Sequence, residues 1–311
     1  MNVDVSIVVP VYYNEGSLEP LVSAIKNEVI SKNAGRSFEI VFVDDGSGDN
    51  SFLKLMELRE QNQGLIKVVK LSRNFGQVNA IRAGLHHSKG KATVIMSADL
   101  QDPPGLINDM IHHHFNEGHA VVICARESRE ESQYRVLTSR FYFWLLKKLA
   151  FKDMPPGGFD YYLINDKVRD LINKYEDRGT GIKTLIFYAG FKPKFIYYTR
   201  LKRRHGKSTY NFSKKFNQMV RLVMSYSFLP IRIISLIGAI TALVGFVWAA
   251  ISLYYIIFVG MAYRGTRVIF VLILTLSGLQ ILMTGILGEY LWRAFDQIRN
   301  RPKYIIDEIY E

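Results

Sequence analysis

The sequence predicts an α/β domain, a mostly parallel sheet with helices on both faces, followed by a C-terminal two-helix transmembrane hairpin. Three observations carry that expectation. Over residues 1–125, short apolar, β-branched runs alternate with segments of helical spacing. Polar clusters follow these runs: NEG at 14–16, DDGSGD at 44–49, SRNFG at 72–76 and ADLQD at 98–102. Near the C-terminus, residues 233–259 and 268–288 contain no charged side chain.

The elements follow in order. Val5 to Val11 is a continuous β-branched run, as a strand buried on both faces should be. Ser17 to Val29 has apolar residues at helical spacing, with Ser17 read as its N-cap. Phe38 to Val43 is a second buried strand, Asp49 to Gln61 a helix, Ile66 to Leu71 a third strand and Phe75 to His87 a helix. Ala92 to Met96 leads as a strand into ADLQD. Leu106 to Glu117 is another helix, and Ala120 to Cys124 another strand. In open parallel sheets ligands bind outside the carboxyl ends of the strands, where all four polar clusters fall.

The stretch Ser97 to Pro104, SADLQDPP, is the most informative of these. Asp99, Gln101 and Asp102 stand where a strand ends, and Pro103-Pro104 stops further pairing. Oxygen ligands so placed suit a hard divalent cation, Mg²⁺ or Mn²⁺, holding a diphosphate. A plain turn is the competing reading of the same residues. No GxGxxG follows the first strand and no GxxxxGK[ST] occurs, so neither a dinucleotide fingerprint nor a P-loop is present. His112-His113-His114 fan around a helix and are not expected to share one metal face.

The two uncharged stretches, about 27 and about 21 residues, are each long enough to cross a bilayer. Arg264 and Arg267 lie between them. The larger basic excess flanks them, with Lys214, Lys215, Arg221 and Arg232 before and Arg293, Arg299, Arg301 and Lys303 after, so both termini are expected in the cytoplasm. Residues 211–232 mix Lys and Arg with Phe, Met, Val and Leu, as an amphipathic helix lying on the headgroups does, although an ordinary surface helix fits too. The expected organisation is a catalytic domain at 1–210, a juxtamembrane helix at 211–232, the hairpin at 233–288 and a cytoplasmic tail at 289–311.

A net charge of +12 over 311 residues points to an anionic partner. The basic residues cluster at the membrane edge rather than along a recognition helix, which argues against nucleic acid. The single cysteine, Cys124, excludes an internal disulfide and fits a reducing compartment. The N-terminal apolar run has no basic segment before it and reads as a strand, not a signal peptide.

Taken together, VVPVYYNEGSL, VFVDDGSGDNS, LSRNFGQ and SADLQDPP resemble the motif series of family 2 glycosyltransferases. With RRHGKSTY at 203–210, the two spans and the tail GEYLWRAFDQIRNRPKY at 288–304, nearly the whole chain is similar to the polyisoprenyl-phosphate glycosyltransferases. The resemblance implies a GT-A-like nucleotide-sugar domain and inverting transfer of a hexose from a nucleotide sugar, UDP-linked, to undecaprenyl phosphate for cell-envelope glycan modification. It places the enzyme in the cytoplasmic membrane, and a homo-oligomer is compatible with so small an interhelical surface. On the donor side it implies Pro10, Tyr12 and Glu15 as the first nucleotide-contacting loop, where Asn14 or Glu15 takes the acidic role. It implies Asp44 and Asp45 at base and ribose, Arg73 near the same pocket, and Asp99 with Gln101 at the metal; Ser97 departs from the Asp of many relatives. On the acceptor side Arg126, Arg135 and Ser139 are implied to grip the lipid phosphate and Arg203 to close over the site. Asp160, in GGFDYYLI, resembles the family's carboxylate beside the acceptor, although Tyr161 stands where an Arg often follows. A catalytically weak membrane scaffold that binds nucleotide sugar is the alternative that Ser97 and the missing Arg motivate.

Overall fold

A computed structural model describes residues 3–126, 159–175, 181–199, 229–259, 266–299 and 301–311. The chain divides into two units, residues 1–211 with 301–311, and residues 212–300.

In the first unit the elements run β1 Val5–Val11, α1 Glu15–Ala24, β2 Phe38–Asp44, α2 Ser51–Gln61, β3 Ile66–Leu71, α3 Gln77–His87, β4 Ala92–Ile95, α4 Leu106–Phe115 and β5 Val121–Arg126. Then follow β6 Tyr161–Asn165, α5 Asp166–Lys174, α6 Ile182–Tyr188 and β7 Lys194–Tyr198. The expected strands all form. The first helix starts earlier than expected: Asn14 is its N-cap, and buried Ser17 donates its hydroxyl to the Asn14 carbonyl at 3.0 Å from inside the first turn.

These strands, with β8 Ile306–Tyr310, make one sheet in the order β7-β5-β6-β4-β1-β2-β3-β8. β1 to β4 are mutually parallel through β1–β2, β1–β4 and β2–β3. β6 runs antiparallel to both β4 and β5, and β7 parallel to β5. Side chains alternate across the strands as a pleat requires. Val5, Ile7 and Val9 of β1 join Ile40 and Phe42 of β2 beneath α1, α2 and α4; Val8 joins Val41 and Val43 beneath α3, α5 and α6. Two buried faces explain why the strands read as unbroken apolar runs rather than alternating ones.

The chain builds outward from β1 to β3 and then returns to place β4 on the other side of β1. That reversal opens a crevice at the carboxyl ends of β1 and β4, the usual ligand position in such sheets.

Three strands are absent from the sequence expectation: β6, β7 and, in the tail, β8. β8 pairs antiparallel with the edge strand β3, Lys67 bonds the Glu311 carboxylate at 2.9 Å, and Lys70 bonds Asp307 at 2.7 Å. Its residues follow no alternating apolar pattern, because an edge strand with one half-covered face needs none.

The second unit holds two long helices, α7 Leu229–Tyr254, which continues in a wider turn to Val259, and α8 Thr266–Ile298. Residues 229–232 of the expected juxtamembrane segment are the first turn of α7, and the remainder of that segment lies outside the described residues. α8 extends ten residues beyond the expected end of the second span. Large apolar side chains on both helices, Phe246, Phe258 and Ile281 among them, are exposed. Among the described residues no helix is long and apolar enough to cross a membrane.

Candidate active site

The loop after β1 is held by short polar contacts. Tyr12 N–H donates to Asn14 Oδ1 at 3.0 Å, and Tyr13 N–H to Ser47 Oγ at 3.2 Å. Tyr13 itself sits at φ 56°, in the left-handed region that side chains with a Cβ avoid. The Glu15 carboxylate accepts from Asn50 Nδ2 at 3.2 Å and from Asn50 N–H at 3.4 Å, so it ties α1 to the start of α2. Tyr12 and Tyr13 are exposed and meet edge to face, with ring centres 4.6 Å apart.

Beside this loop β2 ends in Asp44-Asp45, both buried. Asp45 accepts from Phe75 N–H at 2.7 Å and Gly76 N–H at 2.9 Å, which locks the third polar cluster onto the second. Asp44 is met by Ser47 N–H at 3.3 Å. Burial raises the pKa of each above the ordinary carboxylate value, against the opposing pull of those N–H groups. Of the two glycines in DDGSGD, Gly46 is required by backbone contact, and Gly48 abuts only the movable Tyr13 hydroxyl. A Cβ on Gly46, at φ 69°, would lie 2.6 Å from the Arg73 backbone, and one on Gly48 would lie 2.5 Å from the Tyr13 hydroxyl. Arg73 is exposed and stacks its guanidinium over Phe75 at 4.4 Å. The structure therefore brings Pro10, Tyr12, Glu15, Asp44, Asp45 and Arg73 to one end of the sheet. Within that group Asp45 and Glu15 spend their oxygens bracing loops.

Across the crevice, Asp99 follows β4. Leu100, between Asp99 and Gln101, has φ 55°, a conformation that costs about 1–3 kcal/mol and concentrates at functional turns. It lets Gln101 N–H reach Asp99 Oδ1 at 3.3 Å while the Gln101 side chain is buried. Among the described residues no group of three or more His, Cys, Asp or Glu could hold a metal ion alone. The oxygen-only pair Asp99 and Gln101 fits an ion that takes most of its ligands from water and substrate phosphate, as Mg²⁺ does. His112 and His113 do not fan apart entirely. Both reach Glu117, at 3.7 and 2.9 Å, and His119 approaches it at 3.3 Å.

On the far side of β4 a second group forms. Arg126 ends β5 and donates from Nη2 to Asp160 Oδ2 at 2.6 Å. Asp160 immediately precedes β6, which runs antiparallel, so it returns to the same sheet edge. Lys183 of α6 donates to the other oxygen, Asp160 Oδ1, at 2.5 Å. Burial pushes the Asp160 pKa up, but the Lys183 ammonium and then the Arg126 guanidinium outweigh it and hold the group at about 2. Tyr198, the last residue of β7, donates its hydroxyl to buried Asp102 at 2.5 Å and also hydrogen-bonds Arg126. Arg135, Ser139 and Arg203 lie outside the described residues. Tyr198 and Lys183 are not in the sequence expectation. Tyr198 was findable, as the polar end of a strand pointing the same way as the others; Lys183 carries no motif.

The family model "Glycosyl transferase family 2" matches residues 6–168. An uncharacterised glycosyltransferase of Synechocystis sp. is 30% identical over 100% of this chain and 96% of its own length. The undecaprenyl-phosphate 4-deoxy-4-formamido-L-arabinose transferase of Edwardsiella ictaluri is 32% identical over 98% of this chain and 94% of its own. That of Pseudomonas paraeruginosa is 33% identical over 98% and 90%. In fold the chain is similar to glucosyl-3-phosphoglycerate synthase of Mycobacterium tuberculosis, solved with phosphoglyceric acid, at 17% identity and a TM-score of 0.50 over 72% of this chain and 78% of that one.

Proposed function

Because the chain belongs to glycosyl transferase family 2, we propose that it moves a hexose from a UDP-linked sugar to a polyisoprenyl phosphate, undecaprenyl phosphate, at the cytoplasmic face of a membrane. The observation that carries this reading is the division of one sheet edge. Acidic and aromatic loops suited to the base and ribose of a nucleotide stand on one side of Asp99, and the cationic pair Arg126 and Lys183 stands on the other. Full-length similarity to transferases named for undecaprenyl phosphate supports the acceptor class.

The chemistry asks little of a base. A phosphate monoester is ionised near neutral pH, so its oxygen attacks the anomeric carbon directly. A new C–O bond forms there, the bond to the diphosphate oxygen breaks, and the configuration inverts. The work lies in bringing two anions together and in stabilising the departing diphosphate. Asp99 and Gln101 would hold a Mg²⁺ or Mn²⁺, which when bound neutralises charge on the leaving diphosphate. Asp160, ionised and gripped by two cations, orients the acceptor side rather than taking a proton.

α7 and α8 enter the membrane as a hairpin in this reading. The uncharged runs 233–259 and 268–288 and the outward apolar side chains support it. The ladder of β8 with β3, which joins the residues after α8 to the catalytic sheet, supports an even number of crossings between Tyr198 and Ile306. The basic excess on the flanks then puts both termini in the cytoplasm.

The test is to incubate the purified full-length protein with Mg²⁺, undecaprenyl phosphate and a panel of nucleotide sugars, and to weigh the lipid product. A hexosyl-phosphate lipid is expected. Nucleotide binding without transfer to any lipid phosphate would replace this reading with that of a scaffold.

A further inference from the structure

The Asp160 carboxylate is divided between two cations that reach it from different elements. Arg126 at the end of β5 takes Oδ2, and Lys183 in the first turn of α6 takes Oδ1. α6 is seated by Ile182, Leu185 and Ile186, all buried against the sheet, and this turns Lys183 off the core toward the site edge. Lys183 also stands 5.6 Å over the Phe159 ring, which steers a cation without neutralising it.

Counted together, the three side chains carry one net positive charge, and none is sealed in. Arg126, Asp160 and Lys183 remain 27%, 36% and 40% exposed. A structural ion pair needs one cation for one carboxylate; here there are two, opening to solvent at the edge where Asp99 also stands. Arg126 keeps further donor capacity, since its buried Nε–H meets no acceptor among the described residues. A surplus cation, an unused buried donor and an open face are the elements of an anion receptor.

We propose that Lys183 is a further acceptor-binding residue, which with Arg126 receives the phosphate monoester of the lipid, while Asp160 braces the two cations so that they converge. The proposal rests on the acceptor reading given above. Without the acceptor, Asp160 screens the mutual repulsion of the two cations. When the acceptor arrives, its phosphate oxygens share them, and the phosphate meets the crevice with its charge balanced. Lysine suits this place because its ammonium is a compact charge on a flexible stem, able to leave one carboxylate oxygen for a phosphate without losing hydrogen bonds.

The experiment uses the full-length protein in detergent with farnesyl phosphate as acceptor probe, and compares wild type with Lys183→Met and Lys183→Arg. Loss of one charge-assisted contact should raise the acceptor KM about tenfold to a hundredfold in Lys183→Met, with kcat at saturating acceptor little changed. UDP affinity should stay within about twofold, and Lys183→Arg should recover most of the loss. An unchanged acceptor KM in Lys183→Met, or an equal fall in UDP affinity, overturns the assignment while leaving the acceptor reading intact. A wild type that binds UDP but not farnesyl phosphate overturns both.

Discussion

The two sides of the crevice are built by different means. On the donor side, backbone does the holding. Asp45 accepts two main-chain N–H groups, Tyr13 takes left-handed backbone, and Gly46 exists so that two loops can touch. On the acceptor side, side chains hold side chains, with Arg126, Asp160, Lys183, Tyr198 and Asp102 linked by hydrogen bonds across strands, loop and helix. A backbone-built pocket is fixed before its ligand comes. A pocket built of exposed ion pairs can exchange partners, which suits a site that must accept a bulky phosphate lipid and release it glycosylated.

That contrast can be broken at either end. The largest effect is expected at the boundary: Asp99→Ala should lower transfer at least about a thousandfold, as loss of a preorganised charge-stabilising element does. Turnover assays over a range of Mg²⁺ and Mn²⁺ check this, and full activity with saturating metal would remove Asp99 from the site. Next, Asp160→Asn should lower kcat/KM for the acceptor about a hundredfold, the cost of stripping a shared partner from two cations, with UDP affinity unchanged by titration calorimetry. An equal loss of UDP binding would show that the two sides are not separate.

Asp44 sharpens the other half. Its pKa is raised by burial, so the folded protein holds that proton more tightly than the unfolded chain does. Stability from this group is therefore greatest at low pH and falls as pH rises through the raised value, which leaves the ionised carboxylate a burden at neutral pH. Asp44→Asn should raise Tm at pH 7 while weakening UDP about tenfold, as a lost charge-assisted hydrogen bond does. Asp160 has the opposite sign. With its pKa held at about 2, its contribution to stability is complete above the unfolded value near about 3.9 and is lost only as pH falls through about 2. The smallest effect follows: thermal stability between pH 5 and 8 should show no step from Asp160 in wild type. Scanning calorimetry across that range would reveal one if the two cations were not holding the carboxyl down.

The same contrast explains what the sequence made legible. The donor loops are local: a buried strand, then glycines and carboxylates within six residues, so NEG, DDGSGD, SRNFG and ADLQD announced themselves. The parallel order of β1 to β4 followed from the same alternation of strand and helix. The acceptor side is assembled from residues 34 and 23 positions apart in the chain, and Lys183 lies in a short helix with no motif. Nothing local marks a lysine whose partner arrives by way of an antiparallel strand. β8 escaped for a related reason, since an exposed edge strand has no apolar rhythm to read. Ser17 reads as a cap, although Asn14 is the N-cap, because a serine ahead of an apolar run looks the same from inside the first turn as from outside it.

The division of the sheet edge into a donor side and an acceptor side is tested most directly by measuring UDP affinity and farnesyl-phosphate KM on one preparation each of Asp44→Asn and Lys183→Met. The expected result is crossed: Asp44→Asn loses UDP and keeps the acceptor, and Lys183→Met loses the acceptor and keeps UDP. Parallel losses in both measurements for either variant would contradict it.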